Sequence, residues 1–149
     1  MIRLVALLDL PSAKLALAES LGAPETLEID LPAGTYRLLL DDWSGDVRIE
    51  SSSASGSMPD EQLGSVSIEG YSLLVGDAGA INRAADRDGE RFWSELFAKI
   101  GSSVDGVAAG SFELASGATV AFTGMAEGEH EVRALRDAAG SIGGVIVAG

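Results

Sequence analysis

The sequence contains no cysteine, one histidine and few aromatic side chains. Without cysteine the chain forms no disulfides, offers no thiolate metal ligands and lacks a cysteine nucleophile. A single histidine, His130, cannot build a histidine-based zinc site. We therefore predict no metal and no cofactor. Aromatic residues make up 5% of the chain, against 46% apolar residues overall, so the core must be built mainly from Leu, Val and Ile.

Sequence motifs of common catalytic sites are also missing. No Gly-x-Ser-x-Gly elbow occurs, and His130 falls in a strand-like run with Val132 and Ala134, which is typical of a half-buried structural histidine. The acidic stretches at residues 41–46 and 86–90 lack the ligand spacing of a calcium loop, so they are interpreted as turns. These absences favour a protein that is not an enzyme.

Basic residues are scarce, since ten Lys and Arg stand against 23 Asp and Glu, which gives a formal charge of −13. Such a charge repels nucleic-acid phosphates and anionic membranes, so we expect neither as a partner. The acidity has two interpretations, a solubilising surface or a surface that attracts a basic protein. The apolar N-terminal run is broken by Asp9 and followed by Lys14 and Glu19, so we expect no signal peptide and no membrane span, but a soluble cytoplasmic protein.

Short apolar or alternating runs between turns predict that the chain is mainly β. Strands are predicted at residues 2–8, 27–31, 36–40, 47–50, 65–68, 71–75, 106–109, 111–115, 119–122, 130–135 and 144–148. Residues 27–50 are expected to form three consecutive antiparallel strands. Residues 12–21 fit either a helix or a strand leaving a turn, and their apolar succession favours the strand. Residues 51–64, rich in Ser and Gly, predict a mobile loop.

One amphipathic helix is predicted near residues 89–100. Apolar side chains at Phe92, Trp93, Leu96 and Phe97 fall on one face, and acidic residues precede them. We expect the aromatic side chains of this helix to close an otherwise aromatic-poor sheet.

Two pairs of similar phrases recur along the chain. Residues 31–50 and residues 125–147 each hold a Gly, an apolar run, a polar turn ending in Gly and a second apolar run. Residues 12–20 likewise match residues 70–78, each an apolar strand that ends in an acid. The common order of these phrases predicts an internal duplication.

The duplication would divide the chain into β repeats at residues 10–50 and 68–148, with the helix inserted in the second. Neither half alone could bury an adequate core, so residues 1–149 are expected to form one domain whose sheets pack about a pseudo-two-fold axis. The predicted architecture is an antiparallel β-sandwich, or two packed sheets, with the one amphipathic helix.

Four stretches resemble a group of uncharacterised bacterial β-rich proteins, some of them encoded beside toxin genes. Residues 10–19 resemble the group's "Leu-Pro-Ser-Gly, apolar strand, Asp" opening, and residues 31–36 are similar to its "Pro-Pro-Gly-x-Tyr" strand. Residues 71–77 fall where the group has a strand ending in Asp. Residues 123–147 look like its closing "Gly-Asp-Gly-x-Tyr-Pro-Val, strand, Asp-Gly, strand". The resemblance implies a β-rich fold.

The chain departs from the group's pattern at three places. Ala13 stands where Gly is usual, Glu19 where Asp is usual, and His130-Glu131-Val132 where Tyr-Pro-Val is expected. The group has no settled activity, so the resemblance implies no catalytic residues for this chain.

The repeats make Glu19 and Asp77 equivalent. A pseudo-two-fold axis could bring these carboxylates together, and a paired site could serve acid–base chemistry or bind a cation or small ligand. The alternative is that each carboxylate accepts backbone N–H bonds in the turn after its strand.

Trp43 is the best candidate for a contact residue. It lies in a turn with Asp41, Asp42 and Asp46, and is either tucked over a sheet edge or exposed as a binding anchor within a negative patch. The leading hypothesis is a non-enzymatic protein-binding module for a basic partner, of which a toxin-neutralising immunity protein is one form. The alternatives are an enzyme or ligand-binding protein that uses Glu19 and Asp77, and a structural domain that forms homo-oligomers.

Overall fold

A computed structural model describes residues 2–19, 26–70, 72–104 and 109–149. Its strands are Ile2–Leu10 (β1), Lys14–Ala18 (β2), Leu27–Asp30 (β3), Gly34–Asp41 (β4), Val47–Glu50 (β5), Pro59–Ile68 (β6), Ser72–Asp77 (β7), Ala109–Glu113 (β8), Thr119–Gly124 (β9), Gly128–Arg136 (β10) and Ile142–Val147 (β11). Its helices are Ala78–Asp88 (α1) and Glu90–Val104 (α2), with a 3-10 turn at Ser52–Ala54.

The strands form two antiparallel sheets, which confirms the predicted mainly β fold of two packed sheets. Sheet A has six strands in the order β1-β4-β5-β11-β10-β6, and sheet B has five in the order β3-β2-β7-β9-β8. β2 confirms the strand interpretation of residues 12–21 over Lys14–Ala18, and residues 20 and 21 lie outside the described residues. The prediction of three consecutive paired strands in residues 27–50 is wrong, because β3 pairs with β2 in sheet B while β4 and β5 pair in sheet A. Pro32, which has no N–H for a ladder, stands where the chain crosses between sheets.

Sheet B is the middle of three layers. Its side chains Leu15, Leu17 and Val75 belong to the core shared with sheet A, whereas Ala16 and Leu74 belong to a second core shared with the helices. Strands β2, β7 and β9 are therefore covered on both faces. This explains why they are continuous apolar runs instead of alternating ones.

The predicted helix is present as α2, but the chain also forms α1, a helix that the sequence did not predict. Residues 86–88, interpreted as part of a turn, are the end of α1. Phe92 is buried against the outer face of sheet B, and its ring meets Trp93 edge to face with centroids 5.1 Å apart. Phe97, expected on the same apolar face, is exposed instead. α1 adds Ile81, Ala78 and Ala84 to the layer that covers this face of sheet B.

The prediction of a mobile loop at residues 51–64 is wrong. Residues 59–64 belong to β6, which pairs with β10. The preceding segment packs on the outer face of sheet A, where Ala54 is fully buried against Leu135 and Ile146. Ser57 fixes its end, since the hydroxyl donates to the carbonyl of Arg136 at 2.6 Å. The segment is held by these hydrogen bonds and by one small buried side chain. Because it has no apolar period, its Ser and Gly content alone indicated a loop.

The strand orders have a symmetry that bears on the expected duplication. If β1, β2, β3, β4 and β5 correspond to β6, β7, β9, β10 and β11, each pairing within the first set has its counterpart in the second. The two sets meet at the central β5–β11 and β2–β7 pairs. α1, α2 and β8 have no counterpart among the described residues. The duplication itself stays a prediction.

The centre of sheet A requires glycine at position 144. A Cβ there would lie 2.4 Å from the carbonyl oxygen of Ile49 and 2.8 Å from Cα of Glu50, both backbone atoms of the paired strand β5. We expect Gly144→Ala to lower the free energy of unfolding by about 1–3 kcal/mol, measured by urea denaturation, because neither strand can shift. The control is Gly110→Ala in edge strand β8, where the nearest atom is the ring tip of Phe122 at 3.2 Å. Equal losses in both variants would contradict this account of sheet A.

Candidate functional site

Asp77 ends β7 and caps α1 from a buried position. One carboxylate oxygen accepts from the backbone N–H of Ala80 at 2.8 Å, which is the N-cap bond of α1. The other oxygen accepts from the N–H of Ser12 at 3.0 Å and from its hydroxyl at 2.7 Å. The Ser12 hydroxyl oxygen in turn accepts from the N–H of Gly79 at 3.1 Å. Asp77 therefore joins the β1–β2 turn to the start of α1.

Glu19 follows β2 and binds the turn between β6 and β7. One of its carboxylate oxygens accepts from the backbone N–H groups of Glu69 and Gly70. Both predicted ligand-binding acids thus accept backbone N–H bonds. For Asp77 the bond from Ala80 lies directly after its own strand, as the structural interpretation of the sequence proposed. Glu19 instead bonds to a turn between two other strands.

The structure does not bring Glu19 and Asp77 together. Asp77 lies opposite Leu15 in the antiparallel β2–β7 pair, and Glu19 lies four residues beyond Leu15. At about 3.3 Å per residue the two backbones are about 13 Å apart. Carboxylate pairs in glycosidases are closer, at about 5–9.5 Å. Leu17 and Val75 correspond in the matched sequence phrases and also pair with each other in the ladder. Each acid lies two residues beyond its member of this pair. Because the strands are antiparallel, the two acids lie at opposite ends of the ladder.

His130 is buried, as the sequence indicated, and both ring nitrogens face backbone carbonyls. Nδ1 lies 2.7 Å from the oxygen of Ala148, and Nε2 lies 2.7 Å from the oxygen of Ala126. Tyr36 holds the matching position in β4, and its hydroxyl donates to the carbonyl of Pro32, also four residues earlier. No catalytic partner faces the imidazole through these two nitrogens, so His130 acts as a tie between the start of β10 and the chain segment after β11.

Trp43 projects from the turn between β4 and β5 and is 88% exposed. The side chain is therefore exposed and not tucked over a sheet edge, whereas its role as a binding anchor stays a prediction. The turn that carries Trp43 is held by its own acids: the Asp41 carboxylate accepts from the N–H of Trp43 at 2.9 Å, and the Asp46 carboxylate accepts from the N–H of Gly149 at 2.8 Å. The Trp43 N–H bond is the main reason that the pKa of Asp41 is lowered.

The remaining residues around this turn are a cation, an acid and apolar side chains. Asp42 accepts from the guanidinium of Arg3 at 3.1 Å. Ile2 lies opposite Asp41 in the β1–β4 ladder, and both Ile2 and Leu4 are 56% exposed on this edge strand of sheet A. The four predicted partner-binding residues therefore do lie together, with two unpredicted apolar neighbours on β1. We call Trp43, Ile2, Leu4, Asp41, Asp42 and Asp46 the Trp43 surface.

The sequence did not predict a buried ion-pair cluster of Glu50 with Arg37 and Arg48. Glu50 is 1% exposed and accepts from Arg37 and Arg48, each at 3.0 Å. Arg37 and Arg48 also bond to Ser55 and Ser57 of the segment that covers the outer face of sheet A. The cluster docks this segment and, since its carboxylate is enclosed, offers no site to a ligand.

Neither a metal centre nor a membrane span was found in the described part of the chain. Within residues 2–19, 26–70, 72–104 and 109–149, no three acidic or histidine side chains are grouped to hold a metal ion. No described helix is long and apolar enough to cross a membrane.

Comparison with known proteins gave no relative. No family model matches the chain, and no curated protein or solved structure matches it. The resemblance to uncharacterised bacterial proteins therefore stays a prediction, and function must be argued from the geometry.

The role of Asp77 can be tested by removing its charge at constant size. Both of its oxygens accept hydrogen bonds, so the amide of Asp77→Asn presents a donor where an acceptor is needed. We expect this change to lower the free energy of unfolding by about 1–3 kcal/mol in urea denaturation. The matched control, Asp86→Asn at an exposed position of the same helix, should change it little. If Asp77→Asn unfolded at the same urea concentration as wild type, the proposed structural role of the Asp77 carboxylate would be contradicted.

Proposed function

We propose that this protein is a non-enzymatic binding module that docks a basic protein through the Trp43 surface. The observation that carries the proposal is the exposure of Trp43, 88%, on a turn whose backbone is fixed by hydrogen bonds. In a chain with two tryptophans, one of them is presented to solvent at the end of a hairpin.

An exposed tryptophan on a turn of fixed backbone is well placed to bind a partner. A Trp buries about 150–250 Å² in a contact, which at about 25 cal/mol per Å² corresponds to about 4–6 kcal/mol before the costs of association. Those costs are lower when the anchor is already ordered. Here the N–H of Gly45 donates to the carbonyl of Asp41 at 2.8 Å, and the N–H of Asp41 donates to the carbonyl of Asp46 at 3.0 Å. The backbone that carries the anchor is therefore preorganised.

The apolar neighbours and the charge indicate the kind of partner. Ile2 and Leu4 extend the apolar area along edge strand β1, whose outer backbone edge can also accept an added strand. The acids at positions 41, 42 and 46 surround Trp43, and the whole chain carries −13. Such a field accelerates the approach of a basic protein.

Neutralisation of a basic toxin is the specific form of this proposal. It rests on the resemblance of residues 10–19, 31–36, 71–77 and 123–147 to proteins of which some are encoded beside toxin genes. The homo-oligomer expected as an alternative stays a prediction, with the edges of β1, β3, β6 and β8 as its candidate contacts.

The proposal is tested by a pull-down from lysate of the source organism with a salt gradient, using wild type, Trp43→Ala and Met58→Ala. Met58 is the matched control, because it is 82% exposed but lies in a different loop. We expect a basic protein to be retained by wild type and Met58→Ala, released by salt, and bound about thirtyfold more weakly by Trp43→Ala, as for a hot spot of about 2 kcal/mol.

A second readout uses Trp43 as a fluorescent reporter in a Trp93→Phe background. Its emission should shift to shorter wavelength when the captured partner is added, because the indole leaves water. Equal retention by Trp43→Ala and wild type, or an unchanged emission maximum, would overturn the Trp43 surface as the docking site. Retention that salt does not weaken would overturn the basic character of the partner.

A further inference from the structure

Within the part of the chain that the structure describes, two arginines have no acidic partner. Arg3, Arg37, Arg48, Arg87, Arg133 and Arg136 each form an ion pair with a carboxylate. Among the residues that the structure describes, no carboxylate pairs with Arg83 or Arg91. Since 23 acids are available to ten basic residues, these positive charges are unlike the rest of the surface.

Arg83 lines a cleft between α1 and the turn that joins β8 to β9. The cleft has a volume of about 240 Å³. Its helix wall carries Arg83 and Arg87, four residues apart and so on one face of α1. Its opposite wall is Ser116 and Gly117, and the small side chains of Ala80, Ala84 and Ala118 leave the space between them open. Among the described residues, no carboxylate lines the cleft.

Hydrogen-bond donors remain available on both walls. The guanidinium group of Arg83 forms no ion pair with an acid of the described chain. Arg87 uses Nε and one terminal nitrogen for Asp88, at 2.9 and 3.1 Å, which leaves its other terminal nitrogen. The Ser116 hydroxyl oxygen accepts weakly from the N–H of Ala118 at 3.4 Å, so its proton can be donated elsewhere.

Stability does not explain the arrangement. Like charges four residues apart destabilise a helix, and an Arg83 without an acidic partner does nothing to offset this. Two guanidinium groups facing one small cleft are, however, the arrangement that recognises a tetrahedral oxyanion, because each can donate more than one N–H to it. The cleft is smaller than pockets for drug-sized ligands, which are about 300–1,000 Å³.

The geometry points to a binding site for a small phosphate dianion in this cleft, held by Arg83, Arg87 and the Ser116 hydroxyl. The ligand is free phosphate or the phosphate group of a small monoester. The site lies in the helix layer, away from the Trp43 surface, and does not depend on the proposed function.

The test is a titration of the full-length protein with inorganic phosphate and, separately, with O-phosphoserine, at ionic strength matched with chloride. NMR follows the side-chain Nε–H signals of the arginines. We expect saturable shifts at Arg83 and Arg87 and a raised unfolding temperature, since the anion binds only the folded state. Tighter binding of phosphoserine would indicate a monoester, and tighter binding of phosphate would indicate the free ion.

Matched variants assign the site. Arg83→Gln should raise the dissociation constant about tenfold, because charge-assisted hydrogen bonds are lost. Ser116→Ala, on the opposite wall, should raise it about threefold while keeping both arginines. Arg133→Gln, which removes an exposed arginine paired with Glu131 on β10, should leave it unchanged. Absence of saturable shifts in wild type, wild-type affinity of Arg83→Gln, or equal weakening by Arg133→Gln would overturn the proposal.

Discussion

The antiparallel pairing of β2 with β7 is the constraint on which the rest of the structure depends. These strands lie in the middle layer, so one face supports the core shared with sheet A and the other supports the helices. Because the side-chain period of a strand is two, a slip of one residue would exchange the two faces. Leu15 and Leu17 would then face the helices, and Ala16 would leave a gap opposite sheet A. Asp77 and Glu19, at the two ends of the pair, fix this register by bonding to neighbouring turns.

The outer face of sheet A is covered by a chain segment and not by α1 and α2, and the edge of the sheet at β1 is left uncovered. Neither α1 nor α2 packs there; the segment that carries Ala54 lies over β10 and β11 and is attached through the Glu50 ion pairs. A buried ion pair contributes little net stability, but losing one partner is costly. The cluster therefore favours one position of the segment more than it adds stability. β1 and the β4–β5 turn lie beyond its reach, which is why Ile2, Leu4 and Trp43 are exposed.

Most strands and the fold class could be predicted from the sequence, because buried strands in this protein are apolar runs bounded by Gly, Pro and polar turns. α1 could not, since Ile81 is its only large apolar side chain and its other buried residues, Ala78 and Ala84, have the spacing of a helix face but are too small to give a clear apolar pattern. The first half of β6 was missed because its side chains are exposed. The separation of β3 from β4 was missed because consecutive strands usually pair. The Trp43 turn could be located but not its exposure, and the Arg83 cleft required knowledge of α1.

The two proposed sites have opposite charge preferences, and the range of electrostatic forces allows both. At physiological ionic strength screening acts over about 8 Å, so the charge of −13 guides a large basic partner but does not decide the potential inside a small cleft. There the walls carry the charges of Arg83 and Arg87, and no carboxylate of the described residues lines them. Low salt extends the range of the net charge, which strengthens attraction of a basic protein and weakens entry of a dianion. The responses to ionic strength are opposite because the same net charge attracts the basic protein and repels the dianion.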